Sequence, residues 1–577
     1  MACAFLDAMT DDSITKLGVN GSCVYTEKGM GHALVPLFTM LVRDGEQGMA
    51  NSLSTIMNED DDRSQYMVDL FVMAFQTRDV RGGKGERDLF IKMLLELLKY
   101  YPVAIESVFH LVPTYGRWKD MWQLWTAAGL YRGSEWVARV RKAIDTVVCD
   151  QFRMDWTTLD RFDEQAKISL LAKWMPREGG SHDYLSVHYA QLLFPSTEYI
   201  DDKRCAYRKA CSVMNAHLKT AEVNMCEQAW SAIEPSTIPG RCMNKNKRAL
   251  LNLVPAHMHI KGHTTIRGRR ITGKLINVID DSNHSNHSKH NNNKLRYPMN
   301  EDRMLCRSNF IEFNEQVKDG KAAAKGADVI MPHEIVKQFI EGKGLAKEVI
   351  DVLEGQWAAI RDAFKFAGGL KGIVPMADFS GSMAGIPIQV AMAIGILISE
   401  VNCDSFKDHM MTFDEIPEWI SFKGIKTLHE KIALAESAPW GASTNFQGAC
   451  DLILMRLIKG KVPDNAAPKD LLVLTDMGFD AALGSAHWQT HVQIIRKSFE
   501  CNGYTAPRII IWNLRAEYKD FHATAHEDGV VMLSGWSPAA LKAIQHGGIE
   551  VRTSYDGMRI LLDAERYDAV REALKGI

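Results

Sequence analysis

What this sequence lacks narrows its function first. Its eleven cysteines are scattered, odd in number and contain no C-x-x-C pair. That argues against a disulfide framework and a Cys-type zinc site, and it favours a reducing compartment, so a cytoplasmic protein is expected. No unbroken apolar run is long enough to span a bilayer. The start, MACAFLDAMTDDS, has neither a basic n-region nor a long apolar core, so no secretory signal is expected. Neither sign of charge dominates: 68 Lys and Arg against 71 Asp and Glu leave −3. A histone-like or polybasic protein is excluded, but a local basic face is not. The catalytic patterns H-E-x-x-H and G-x-S-x-G, and kinase and Rossmann signatures, are missing too. What remains is 577 residues, 46% apolar and 24% charged, a globular composition long enough for two or more domains.

The first 250 residues read as successive helices. Met67, Leu70, Phe71, Ala74 and Phe75 fall at helical spacing, as do Phe90, Met93, Leu94, Leu97 and Leu98, and then Trp136, Val140, Ala143, Ile144 and Val147. No period-2 strand stands out, and paired helices with short turns suit a degenerate helical-repeat (HEAT-like) region over 1–367. Residues 256–300 break the pattern with a basic stretch and an Asn/His/Ser tract, read as an exposed insertion. Pro332 marks a helix start, and a further helix over 346–366 leads to Gly368-Gly369, a domain boundary.

From 368 to 577 strands alternate with helices, which predicts a doubly wound α/β domain. Strands are expected at 373–377, 409–413, 418–422, 471–475, 508–512 and 530–533. Helices are expected at 386–400, 445–458, 487–499, between 513 and 530, at 538–546 and from about 563. Ligands in such sheets bind beyond the carboxyl ends of the strands. There the sequence places Asp378-Phe379-Ser380-Gly381-Ser382, then Gly441-Ala442-Ser443-Thr444-Asn445, then Thr475-Asp476-Met477. Two carboxylates and three hydroxyls from three loops make an all-oxygen cup of low charge, which suits Mg²⁺ or another divalent cation. A cation so weakly neutralised accepts a carboxylate from a partner. The competing reading is that Asp378 and Asp476 are ordinary capping or loop carboxylates.

The series D-x-S-x-S, Thr loop, T-D resembles the metal-ion-dependent adhesion site of von Willebrand factor A domains. The resemblance implies metal ligation by Asp378, Ser380, Ser382, Thr444 and Asp476. The blocks at 75–87, 115–120, 172–174, 440–447 and 475–480 resemble an uncharacterised plant and viral family that joins a helical region to a carboxyl-terminal A domain. That architecture is similar to the Ro autoantigen (TROVE) proteins, which implies binding of small non-coding RNA.

Basic residues add to this expectation. Arg78, Arg81, Lys84 and Arg87 surround three glycines, and Arg117, Lys119, Lys173 and Arg177 stand near Trp118 and Trp174. Exposed amides, guanidiniums and aromatic rings suit RNA phosphates and bases. The alternative is a helix–helix turn with solvated charges and core tryptophans. Arg267, Arg269 and Arg270 lie in a near P-loop that fails at Leu275, where Ser or Thr would meet Mg²⁺, so a basic RNA-touching loop is expected there rather than a nucleotidase. His284, His287 and His290 read as a polar tract rather than a metal site.

The expectation is a non-enzymatic RNA-binding protein with a Mg²⁺ site that recruits a protein partner, without membrane association. The alternative is a protein–protein scaffold, or a virus-encoded assembly or host-interaction factor, without nucleic acid. A metal-dependent nuclease or phosphatase ranks last.

Overall fold

The computed structural model describes residues 14–577 except 60–63, 131–133, 160–165, 255–264, 267–268, 271–294, 320, 323–324, 327–329, 343–344, 367–371, 414–416, 439–443, 481–489 and 542–550. By packing, the chain divides into two compact units. One comprises residues 1–141, 328–341 and 357–577, and the other comprises 142–327 and 342–356. The packing therefore does not divide at Gly368-Gly369. The first 141 residues belong with the α/β sheet.

In the first unit, strands β1 (Thr15–Leu17) and β2 (Cys23–Tyr25) form an antiparallel hairpin. Helices α1 (Leu34–Met40), α2 (Ser64–Arg78), α3 (Arg87–Leu98) and α4 (Trp118–Ala128) follow, and α5 (Pro332–Glu341) begins at the expected proline. Then come β3 (Ile373–Asp378), α6 (Ile386–Val401), β4 (His409–Phe413), β5 (Glu418–Ser421), α7 (Phe446–Lys459) and β6 (Asp470–Thr475). Helix α8 (His491–Cys501), β7 (Arg508–Asn513), β8 (Val530–Ser534) and α9 (Ser554–Leu562) follow, and the helix expected from about 563 is the short Asp568–Ala573. The sheet runs β8-β7-β6-β3-β4-β5, and all neighbours are parallel except β4 and β5.

Strands β3 and β6 are buried along their whole length, as continuous apolar runs in a two-sided sheet must be. Helix α6 is buried on every side from Ile388 to Val401, not only along the expected stripe of Val390, Ile394, Leu397 and Ile398. Its apolar circumference requires this. Its one acid, Glu400, is neutralised by Lys431 at 2.7 Å and accepts from Trp357 Nε1 at 3.0 Å.

Two expectations fail. Strands do occur among the first 250 residues, in the β1–β2 hairpin, where three-residue strands are too short to show a period. The helix expected between 513 and 530 does not form. That stretch gives its backbone to distant segments instead: Phe521 O accepts from Tyr25 N at 2.7 Å, and Ala525 N donates to Met30 O at 2.9 Å. Of the expected 538–546 helix, a 3₁₀ turn spans Pro538–Leu541, and 542–546 lie outside the described residues.

The segment 76–87 turns inward. Gly83 has no room for a side chain, since a Cβ would stand 1.8 Å from Gln76 O. The chain doubles back there, with Lys84 N on Gln76 O at 3.0 Å and Glu86 N on Thr77 O at 2.8 Å. Lys84 Nζ then donates to Phe38 O at 2.8 Å, to Leu41 O at 3.1 Å and to Ser534 Oγ at the end of β8 at 2.6 Å. Buried Asp79 binds Arg566, buried Arg78 meets buried Asp120 at 2.6 Å, and Glu86 pairs with Arg43 at 2.8 Å. This motif staples the amino-terminal helices to the carboxyl-terminal sheet.

The second unit is helical. Its helix Ile200–His217 packs against Leu171–Trp174 and Asp183–Leu193. In Glu301–Lys318, Arg303 lies over the Trp230 ring at 3.5 Å. Thr265–Ile266 and Arg269–Arg270 pair antiparallel. Among the described residues no helix is long and apolar enough to cross a membrane.

Removing one member of a buried ion pair strands the other. Arg78→Ala is expected to lower stability by about 3–5 kcal/mol, read as a shifted urea midpoint, whereas exposed Arg81→Ala leaves the midpoint in place.

A candidate metal centre at the switch point of the sheet

The chain winds from β3 to one side through β4 and β5, then returns to the other side at β6. The crevice between the carboxyl ends of β3 and β6 is therefore the switch point, where doubly wound sheets bind ligands. Asp378 ends β3, and Thr475-Asp476 ends β6. Both aspartates are fully buried.

The first loop folds onto its own acid. Ser380 N donates to Asp378 Oδ1 at 2.9 Å, and the Ser380 and Ser382 hydroxyls stand 3.0 Å apart. Thr475 Oγ1 donates to Asp378 Oδ2 at 2.7 Å, which ties the first loop to the third. In the third loop, Gly478 N donates to Asp476 Oδ1 at 3.1 Å. Asp476 Oδ2 is buried and forms no hydrogen bond, although the Ser382 hydroxyl stands near this carboxyl. The second loop is clasped to the third through its backbone: Thr444 N donates to Asp480 Oδ2 at 2.7 Å, and Asp480 N donates to Thr444 O at 3.1 Å. Thr444 itself is buried. Trp440 and Gly441–Ser443 lie outside the described residues.

Electrostatics follow from this burial. Desolvation, and then the neighbouring Asp476, push the Asp378 carboxyl up to about 7, against the pull of the Ser380 and Thr475 hydrogen bonds. Burial also raises Asp476, opposed by the Ser382 hydroxyl, the Gly478 amide and the Arg515 guanidinium. Two carboxylates share a dry crevice with too little positive charge, so one holds a proton or both hold a cation.

Beneath the third loop two buried histidines fix its backbone. His522 Nε2 bonds Met477 O at 2.9 Å, and His491 Nε2 bonds Asp480 O at 2.7 Å. Burial, and then the proximity of His491, lower His522 to about 4, so it stays neutral and donates. Phe479 stacks on His522 with ring centroids 4.4 Å apart.

Of the five expected ligands, Asp378, Ser380, Ser382 and Asp476 stand together, whereas Thr444 is tied to the third loop only through its backbone, on Asp480. Thr475, expected as part of the T-D strand end, orients Asp378, while Asp480, His491, His522 and Arg515 belong to the site without having been expected there. Thr475 and Asp480 sit in the T-D-M-G-F-D block, so their loop was visible though their roles were not. Among the described residues no group of three or more His, Cys, Asp or Glu side chains is placed to hold a metal ion; the cup has two carboxylates and otherwise hydroxyls.

The basic residues are placed differently from the expectation. Arg78 and Lys84 are buried and fully engaged within the staple, so neither can meet a phosphate. Arg87 is exposed and pairs with Asp88 at 2.8 Å, and Lys173 pairs with Glu222 at 3.0 Å. Arg81 and Arg177 are exposed, while Arg117 and Lys119 are half-buried, as are Trp118 and Trp174. Arg269 and Arg270 form the short strand already noted. Arg267, His284, His287 and His290 lie outside the described residues.

Residues 373–568 match the family model of a domain of unknown function, DUF7788, which begins at the first residue of β3. Residues 140–257 match a second domain of unknown function, DUF2828. The chain is 26% identical over 540 residues to an uncharacterized protein of Acanthamoeba polyphaga mimivirus, covering 91% of this chain and 84% of that one. No solved structure matches significantly.

Proposed function

We propose that the chain is a non-enzymatic binding protein of the cytoplasm whose α/β unit is a von Willebrand factor A-like module. Asp378, Ser380, Ser382 and Asp476, with Thr444 from the second loop, hold Mg²⁺ or another divalent cation. When bound, the cation supplies coordination positions that a partner protein fills with a carboxylate. One observation carries this reading: two fully buried carboxylates stand at one switch point, with Asp476 Oδ2 unmet and Asp378 raised to about 7. The strand order and the order of the three loops along the chain support it.

This chain's residues divide the work. The aspartates set the charge, and the hydroxyls supply neutral oxygens that keep the cation electron-poor. Thr475 and the Ser380 amide orient Asp378, while His491 and His522 hold the third loop. The RNA reading has less support, because Arg78 and Lys84 serve the interior; exposed Arg81, Arg87 and Arg177, half-buried Arg117, Lys119 and Lys173, and the basic stretch Arg267, Arg269 and Arg270 remain for it. Similarity to TROVE proteins adds no further residue.

Asp378→Asn is expected to abolish Mg²⁺ binding in isothermal titration without lowering the melting temperature of the cation-free protein, since it removes a buried repulsion and keeps an amide in place to bond Ser380 N and Thr475 Oγ1. Mg²⁺ binding that survives the substitution contradicts the assignment. The raised pKa of Asp378 fixes the sign of the pH dependence. Its protonated form is the favoured one in the fold, so the stability it carries is full below about 4 and is lost as pH rises through about 7. The proton also competes with the cation. Mg²⁺ affinity is expected to be roughly thirtyfold weaker at pH 5.5 than at pH 8, and a pH-independent affinity contradicts this.

A further inference from the structure

A cavity of about 780 Å³ lies beneath the carboxyl-terminal half of α7. The α7 residues that line it begin at Leu452, about two helical turns past Thr444 of the cup. Val374, Met411 and Trp419 form its floor from the neighbouring strands β3, β4 and β5, and Ile453 and Leu457 form its wall. Register explains the floor. Met411 stands opposite Met376 of β3 and Trp419 of β5, so these share one face of the sheet, and Val374 lies two residues from Met376. The adjacent Met410 points the other way, against Gly395 of α6. Such a volume accepts a small ligand or a large side chain with its neighbours.

This floor ends at an open edge. Strand β5 closes the sheet order on its side, with β4 as its one neighbour. Phe422 N donates to Asp408 O at 2.7 Å, so the antiparallel ladder turns the backbone groups of Glu418 and Ile420 towards β4 and those of Trp419 and Ser421 outwards. Trp419 and Ser421 are both exposed, and among the described residues no group pairs with their outward amides and carbonyls. An edge of this kind is a template for another extended backbone. Charge adds a third feature. Arg456, exposed in the last turn of α7, borders the cavity and has no ion pair among the described residues. Glu418 borders it too, but strand alternation gives its side chain the face of Ile420.

We propose that an extended segment of a partner protein pairs with β5 and sets a large apolar side chain into this cavity. The open backbone groups select a strand, the apolar floor and wall select an aromatic or aliphatic anchor, and the unpaired guanidinium selects an acid. A strand returns to the same face every second residue, so the acid stands two residues before or after the anchor. The site uses no residue of the cup and stands whether or not the cup holds a cation.

The test uses short labelled peptides of Thr and Ser with blocked ends, Phe or Ser at the centre, and Glu or Lys two positions before or after it. Binding to the full chain is read by fluorescence polarisation, with backbone hydrogen exchange in parallel. The best Phe peptide is expected to bind at least about tenfold tighter than its Ser counterpart, equally in Mg²⁺ and in EDTA. It slows exchange at the outward Trp419 and Ser421 amides and leaves the Ile420 amide, already turned to β4, unchanged. Methylating the peptide's backbone nitrogens removes its donors and abolishes binding. Arg456→Glu, at an exposed position, turns the preference from Glu to Lys. Absence of binding, or binding without a preference for Phe, overturns the inference. Binding that leaves the Trp419 and Ser421 amides unprotected or survives methylation also overturns it and marks a pocket for a small apolar molecule. So does an acid preference that persists in Arg456→Glu, or binding lost in EDTA, which belongs to the cup. A chain that sediments as a dimer by itself and as a monomer with Trp419→Ser places a second copy on the edge and overturns the partner.

Discussion

Two carboxylates cannot share a dry crevice without compensation, and the carboxyl-terminal half of this protein is arranged around that constraint. Asp378 and Asp476 end neighbouring parallel strands, so their positions follow from the pairing of β3 with β6, which sets Ala377 opposite Leu474. Water is excluded from both, and nearby donors are few. Ser380 N and Thr475 Oγ1 occupy one oxygen each of Asp378, while Asp476 Oδ2 has none. A fold could avoid this cost with an asparagine at either position, and the sequence retains two acids. A bound divalent cation turns the same arrangement from a repulsion into an attraction, since each carboxylate then faces positive charge.

The amino-terminal part of the chain serves this centre structurally. Asn513 Nδ2 at the end of β7 donates to Thr39 O, and Lys84 reaches Ser534 at the end of β8, so α1 and the segment 76–87 close over the same edge of the sheet that carries the cup. Nearer the cup, Asn20 and Gly21 brace the third loop. The third loop and the strand ends beside it are thus restrained by residues hundreds of positions away.

The strands and the cup were legible in the sequence because their signals are local. Short apolar runs ending in Asp378 or Asp476 mark strand ends, and the observed strands lie within a residue or so of those expected. The fate of the basic segment at 78–87 was not legible. Glycines and cations on one turn suit a phosphate and a buried staple equally, and the choice depends on Asp120, Phe38, Ser534 and Arg566, whose positions are set by tertiary structure. The stretch 514–529 failed for the same reason: Tyr25 and Met30 compete for its backbone groups and win. The roles of His491 and His522 became visible only when Met477 O and Asp480 O were placed beside their rings.

The central claim is that the switch-point cup holds a divalent cation. Anomalous X-ray scattering from crystals of the full chain grown with Mn²⁺ tests it most directly. The account predicts one strong anomalous peak within coordinating distance of Asp378 or Asp476 and of the Ser380 and Ser382 hydroxyls. A cup without a peak, its serine hydroxyls still bonded to each other while Mn²⁺ sits elsewhere, contradicts it.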